Sequence, residues 1–509
     1  ESVCSHNKAR RFTDKMKHLF IKAGGAGGRH VHLILRILPV VFLCYAVYLL
    51  LGMWLPFLFQ PGVSKEFQRG FDKSGFYGTG SVDRAALIDD NVAALEIRIR
   101  MIEEAQKRLI FTNFDIRDCE SGRDVAAALL AAAERGVQVQ VLTDGMNGLV
   151  SMASSPVFYA LGAHPNIEIR FYNTPNPLMP WTFNGRLHDK YILSDDRLLL
   201  AGGRNTFDKF LGDYVPDPEK SHDLDILFYN SAAGTADSGE SVLHQVEQYF
   251  QMVWSDSHSK TWLESAPFFY RKSVLLETEA LHMRHSAWRE AHPELLSKEN
   301  TDYIEATVPL KAVTFIHNPI NILAKEPLVW WQLQQLMEGA EERVYLQTPY
   351  AVCDQSMYDG LSRVAGRGVP FSVQINSMGV GDNFMASSDY YRNKARVLDT
   401  GAQVWEWYGD YSSHGKSLLI DQDLAAVGSY NLDMRSTYVD TEVMFVIHGE
   451  EFNAVLEHYL AEMEEDSLLV SGLETYVEKE GVTPWDNGDW KHALYPITSL
   501  LVQPFRCLL

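Results

Sequence analysis

The chain has 509 residues, 46% of them apolar and 12% aromatic, which is enough to bury more than one core and excludes a disordered chain. Its formal charge of -21 is unevenly spread: eight Lys/Arg against Glu1 and Asp14 make residues 1–36 a local +6 and leave the remainder near -27. A body that acidic is a poor non-specific nucleic-acid binder, because such binding rests on Lys/Arg displacing counterions from phosphates.

The basic arm, 1–36, leads into ILPVVFLCYAVYLLLGMWLPFLF, residues 37–59, 23 residues without a charge. As a helix this run would extend about 35 Å, enough to cross a bilayer, and no small-residue cleavage site precedes FQPGVSKEF. The arm carries more positive charge than Lys65, Arg69 and Lys73 on the other side, so the positive-inside rule predicts a cytoplasmic N-terminus and an acidic portion outside the cytoplasm. The sequence opens on Glu1 rather than Met, as expected of a trimmed N-terminus. KAGGAGGRH lacks the Lys-Ser/Thr ending of a phosphate loop and precedes the span rather than following a strand.

Residues 60–83 are Gly-rich and polar and read as a linker. Helical spacing of apolar residues then runs from Leu87 to Ala105. RLIFTNFDI reads as a strand, DVAAALLAAAERG as a helix ending at Gly136, and VQVQVLTDG as a second strand. Alternating helices and strands predict an α/β domain with a mixed, mostly parallel sheet flanked by helices. The order recurs: AEERVYLQTPY echoes AQKRLIFTNF, and RGVPFSVQINS echoes RGVQVQVLTDG. Two similar domains are therefore expected, at 84–255 and 326–470, joined by a mainly helical connector at 256–325 and followed by a C-terminal extension at 471–509. The five cysteines (Cys4, Cys44, Cys119, Cys353, Cys507) have no zinc-type spacing.

The strongest echo pairs HDKYILSDDRLLLAGGRN, from His188, with HGKSLLIDQDLAAVGSYN, from His414. Both read H-x-K-x4-D-x6-G-(G/S)-x-N, so His188, Lys190, Asp195, Gly203 and Asn205 match His414, Lys416, Asp421, Ser429 and Asn431. Side chains two apart on a strand share a face, which puts each His beside its Lys. Asp195 and Asp421 fall where a turn should reverse the strand, and either a turn role or direct chemistry suits them. Asp223 and Asp225 follow the first histidine, and Glu442 the second, by about thirty residues. A carboxylate there could hold one imidazole nitrogen and leave the other free to react.

The duplicated H-x-K-x4-D motif resembles that of the phospholipase D superfamily, over about 84–463. Within it GGRN, SHDLD and GSYNLDMRS followed by Glu442 look most like bacterial cardiolipin synthases. The resemblance implies two pseudo-two-fold related domains, a single-pass protein of the bacterial cytoplasmic membrane, and a catalytic set of His188, Lys190, Asp195, His414, Lys416 and Asp421. It implies phosphate binding by Lys190, Asn205, Lys416, Ser429 and Asn431, histidine orientation by Asp223, Asp225 and Glu442, and no metal or cofactor. Its route passes through a phosphatidyl-histidine on His188, with His414 protonating the departing glycerol and then activating the incoming hydroxyl. The implied substrates are phosphatidylglycerol and phosphatidylethanolamine. Gly203 departs from the family's usual serine, which puts a hydroxyl contact to phosphate in doubt for the first copy. The partner classes expected are phospholipids and the bilayer, with no nucleic-acid partner; oligomeric state is not legible.

NPLMPWTF (176–183) and PLVWWQL (327–333) could accommodate acyl chains or dip into the interface, or belong to the core. Three functions are compatible with the residues: a phosphatidyltransferase making cardiolipin, a hydrolase of the same superfamily acting on phospholipid or nucleic acid, and a catalytically dead anchor. The last is disfavoured because both motifs are whole.

Overall fold

A computed structural model describes residues 26–263, 270–293, 295, 302–484 and 490–509. Most of the basic arm, residues 1–25, and part of the connector lie outside the described residues. Ala26–Trp54 is one helix with Pro39 inside it, continued by a 3-10 turn at Leu55–Phe57. Its stretch Leu35–Phe57 has a mean hydropathy of 2.2 and is long and apolar enough to cross a bilayer, close to the expected 37–59.

The stretch 60–83 is not a loose linker. Ser64 caps a short helix, Lys65–Gly70, and Asp72 caps a 3-10 turn, Lys73–Phe76. Phe71 lies 4.9 Å from the Trp331 ring and Phe76 is buried, so aromatic side chains pin this segment to the second half. Asp83–Ile88 is a strand, correcting the helical spacing read from Leu87. The helix begins at Asn91, where the Asp90 carboxylate accepts from Ala93 N.

Two nine-stranded mixed sheets follow the duplication. Across the first, the order is Val308–Pro309, Asp83–Ile88, Asp225–Asn230, Leu198–Gly202, Tyr191–Ser194, Arg108–Asn113, Gln138–Asp144, Ile167–Tyr172 and Ser259–Thr261. Across the second it is Ala312–His317, Val443–His448, Leu424–Gly428, Ser417–Ile420, Val344–Gln347, Phe371–Asn376, Gln403–Trp407, Ser467–Gly472 and Thr475–Tyr476. In each sheet the strands on either side of the second are parallel to it (Arg108–Asn113, Gln138–Asp144 and Ile167–Tyr172; Val344–Gln347, Phe371–Asn376 and Gln403–Trp407), and the motif hairpin is antiparallel. The RGV echo has a backbone reason: Gly136 and Gly368 take φ of 96° and 81° to leave a helix and enter a strand. The connector supplies a helix, Arg271–Ala291, and also the strands Ser259–Thr261, Val308–Pro309 and Ala312–His317.

Each sheet buries one face under its own helices. The other faces meet in a shared core in which Ala85, Leu199 and Phe228 pack with Val427, Val443 and Phe445. The Phe228 and Phe445 rings are 5.0 Å apart and both are fully buried. Helix Val242–Ser255 of the first half reaches Ala312–His317, and Glu450–Glu465 of the second reaches Asp83–Ile88. Trp330 belongs to the second half's core, whereas Leu178 at the tip of NPLMPWTF is 73% exposed.

Because the halves share this core, Phe445→Ala should cost about 3–5 kcal/mol and leave a single unfolding transition. Denaturant unfolding followed by tryptophan fluorescence and circular dichroism checks this; two separated transitions would contradict it.

Candidate active site

His188 and Lys190 lie just ahead of the buried strand Tyr191–Ser194, and His414 and Lys416 just ahead of Ser417–Ile420. Two backbone bridges between the halves bring these segments to their carboxylates. Leu187 pairs with Thr441, with Thr441 N donating to Arg186 O at 2.9 Å; Ser413 pairs with His222, with His414 N donating to His222 O at 2.6 Å. The residue after each bridge partner is the carboxylate, so Glu442 meets His188 Nδ1 at 2.8 Å and Asp223 meets His414 Nδ1 at 2.6 Å. The orienting carboxylates are thus exchanged between the halves, whereas sequence order suggested that each served the histidine preceding it.

Further contacts fix the rings. His188 N donates to Thr441 Oγ1 at 3.0 Å, and Thr441 Oγ1 donates to Asp189 Oδ1 at 2.7 Å. Tyr249 OH donates to Asp189 Oδ2 at 2.8 Å. Phe114 meets the His188 ring edge-on at 4.9 Å and Phe210 lies 5.2 Å from the His414 ring. Lys190 Nζ donates to His188 O at 2.5 Å, and Lys416 Nζ donates to His414 O and lies 2.6 Å from His414 Nδ1. Both lysines are buried, as are Asn205 and Asn431, whose side-chain oxygens find no hydrogen-bond partner among the described residues. Two imidazoles with Nδ1 engaged and two buried ammoniums, from matched positions, therefore lie close enough to act on one another's charge.

The charges are not symmetric. Burial, with the Lys190 and Lys416 ammoniums, holds His188 well below the ordinary histidine value; His414 is lowered by burial and Lys416, an effect partly offset by Asp223. Burial pushes Glu442 well above the carboxylate range, against the pull of Lys190 and the Ser429 hydrogen bond. Burial acts the same way on Asp223, but Lys416 and His414 outweigh it, and this carboxyl ends below the range. Burial presses Lys190 down to about 7 and Lys416 down to about 8.

Four sequence expectations change. Asp195 and Asp421 are hairpin residues with φ of 54° and 51°, and their carboxylates face away from the histidines. Asp195 accepts from Gln106, Lys107 and Arg108 N at 2.9, 2.9 and 3.0 Å, and Asp421 from Glu341, Glu342 and Arg343 N at 3.1, 2.7 and 3.0 Å. They clamp the loop entering the neighbouring strand, a structural role rather than a catalytic one. Asp225 does not orient a histidine: it lies 2.9 Å from Arg98 Nη2 and 3.3 Å from the fully buried Arg204. Ser429 is not free for phosphate, because its hydroxyl donates to Glu442 Oε2 and accepts from Val443 N at 3.0 Å. At Gly203 a Cβ would come within 2.1 Å of Asp223 Oδ1, so the first copy needs glycine where the second uses serine.

Sequence reasoning missed Lys325, a connector residue outside any repeat. It is 2% exposed, its Nζ has no hydrogen-bond partner among the described residues, and burial presses it down to about 8 although Asp440, Asp189 and Glu442 lie near. Thr441 was also missed, although its place beside Glu442 offered a signal.

The family model described as cardiolipin synthase, PLD-like domain, matches residues 98–254 and 333–464. Cardiolipin synthase C of Escherichia coli (strain K12) is 24% identical over 479 residues, covering 81% of this chain and 94% of that protein. Cardiolipin synthase B of Salmonella typhi is 24% identical over 361 residues, covering 70% and 75%. The fold is similar to the crystal structure of phosphatidylserine synthase from Haemophilus influenzae Rd KW20, with a TM-score of 0.59 at 13% identity over 84% of this chain and 95% of that one.

Asp195→Ala and Asp421→Ala should each lower stability by about 1–3 kcal/mol, through lost charge-assisted hydrogen bonds, and leave the chemistry of the folded fraction within about threefold. Thermal unfolding and turnover per folded molecule separate the two effects; a collapse of turnover at unchanged stability would return the aspartates to the catalytic set.

Proposed function

The chain belongs to the cardiolipin synthase, PLD-like domain family, and from that premise we propose that it is a membrane-anchored phosphatidyltransferase that makes cardiolipin from phosphatidylglycerol. The observation that carries this reading is the exchanged pair of dyads, His188–Glu442 and His414–Asp223, with the charges of Lys190 and Lys416 acting on His188. A phosphodiester is anionic and repels nucleophiles. Two ammoniums and the Asn205 and Asn431 amides would hold its oxygens and stabilise the charge that grows in the transition state.

His188, held neutral, is the nucleophile. Its Nε2 attacks phosphorus, the P–N bond forms and the P–O bond to glycerol breaks, while protonated His414 passes its Nε2 proton to the departing alkoxide. Asp223 offsets part of the effect of burial and Lys416 on His414, and Glu442, accepting from His188 Nδ1, leaves His188 Nε2 free to attack. His414, now neutral, takes the proton from the hydroxyl of a second phosphatidylglycerol. A new P–O bond forms, the P–N bond breaks, and both histidines return to their starting states. The span holds this chemistry at the lipid surface, with the catalytic part on the side away from the cytoplasm as the positive-inside rule requires.

Full-length protein with phosphatidylglycerol alone should release glycerol and form cardiolipin, read by lipid mass spectrometry. His188→Ala and His414→Ala should each lower the rate by at least about a hundredfold. Phosphatidic acid as the sole product would replace transfer by hydrolysis, and an active single-histidine variant would reject the two-histidine route.

Loss of the His414 proton, lowered by burial and Lys416, begins the alkaline limb of the pH dependence, and loss of the two lysine charges extends it. A cation whose pKa is depressed loses its charge as pH rises through the depressed value, so kcat/KM should fall through about 7 for Lys190 and about 8 for Lys416. His188 is lowered below its ordinary value and stays neutral across that range. A kcat/KM that keeps rising from pH 7 to 9 would contradict the paired-ammonium site.

A further inference from the structure

The C-terminal helix, Trp490–Val502, and the turn after it have a polarity opposite to that of a water-facing element. The inward side is Tyr495, Ser499 and Val502, with Tyr495 OH donating to Met378 O at 2.9 Å and its ring stacked on Phe384. The outward side is a stripe of Leu494, Ile497, Leu500, Leu501 and Phe505, each between 43% and 66% exposed, and the other exposed residues in 493–505 are Ala493, Pro496 and Pro504. A surface helix in water shows the reverse pattern.

This face is continuous with the span. Trp54 Nε1 donates to Pro504 O at 2.7 Å, and the Trp54 ring lies 5.8 Å from that of Phe505. On the first half, the tip of NPLMPWTF lies along the same helix: Tyr45 OH donates to Pro177 O at 3.0 Å and Tyr48 OH to Leu178 O at 2.7 Å. Gly52 makes room for this loop, since a Cβ there would come within 2.3 Å of Pro180 Cγ. Tyr45 sits roughly twelve residues before Phe57, about 18 Å along a helix axis, so the tip lies beside the apolar run rather than at its end.

Backbone immersed in hydrocarbon must satisfy its own polar groups. The tip does so. Asn176 Oδ1 accepts from Leu178 N at 2.9 Å, Asn176 O from Met179 N at 2.8 Å, and Met179 O from Thr182 N at 2.9 Å, while the two tyrosines take the remaining carbonyls. Leu178 and Met179 nevertheless stand 73% and 40% exposed.

We propose that the C-terminal helix and the loop tip at Leu178–Met179 are immersed in the acyl region of the bilayer crossed by the span, entering it from the side of the span's carboxyl end, and form a two-sided apolar rim. Both parts attach to segments leaving carboxyl ends of parallel strands: Ile167–Tyr172 runs into the loop, and Phe371–Asn376 runs into Met378, which holds Tyr495. Asp382, on that second segment, pairs with Lys209 and senses the His414 and Lys416 charges. The rim therefore lies on the same edge as the dyads and would deliver lipid headgroups to them without extraction of the acyl chains from the bilayer.

The test uses full-length protein reconstituted in phosphatidylglycerol-containing vesicles, with Cys4, Cys44 and Cys119 replaced by serine and one environment-sensitive fluorophore placed by Leu178→Cys, Leu500→Cys or, as a water-facing control, Glu478→Cys. Mid-chain nitroxide lipids should quench the labels at 178 and 500 at least twofold more than the label at 478. Equal quenching at all three sites would overturn the proposal, whatever reaction the protein catalyses. As a second measurement resting on the transferase reading, Leu500→Glu with Leu501→Glu should lower turnover on vesicles about tenfold and keep turnover on detergent-dispersed short-chain lipid within twofold. Equal loss on both substrates, or none on either, would also overturn it.

Discussion

The rest of the structure depends on the hydrogen bond from each motif histidine to a carboxylate carried by the other half. Glu442 reaches His188 and Asp223 reaches His414 because Thr441 and His222 pair, backbone to backbone, with the residues just ahead of the histidines. Neither half therefore contains a complete site. The shared core around Phe228 and Phe445 has a matching task, since a shift of one sheet over the other by an ångström would break both dyads.

That constraint explains where the two copies were free to diverge. Beside Asp223 only glycine fits at position 203, and the Asp223 carboxylate takes Leu224 N at 2.8 Å. Beside the longer Glu442, Ser429 fills the equivalent position and satisfies the second carboxylate oxygen. The two carboxylates end on opposite sides of their ordinary range, and the two histidines, both lowered, differ in that Asp223 offsets part of the effect on His414. A pseudo-symmetric scaffold thus places two imidazoles in unlike electrostatic surroundings.

The long apolar helix is tied to both halves in the same way. The span is anchored through Tyr45, Tyr48 and Trp54 to one loop of the first half and to the C-terminal segment bound to the second. Arg506 ties that segment down through Asp389 and Cys353 O, so the span is held by both halves.

The long apolar helix, the duplication, the α/β class and the pairing of each motif histidine with its lysine were legible along the chain, because hydropathy, alternation and motif spacing act through sequence neighbours. The sequence also carried Asp223 and Glu442, but not their exchange, since a bridge between Leu187 and Thr441 joins positions 254 apart and leaves no periodic trace. Tertiary structure moved Asp195 and Asp421 to a backbone clamp, because whether a turn carboxylate faces the pocket or the loop beside it is set by the neighbouring strand. It also turned Ser429 toward Glu442, gave Asp225 to two arginines and brought in Lys325. Each of these was decided by burial, where a polar group must take the nearest partner that the fold provides.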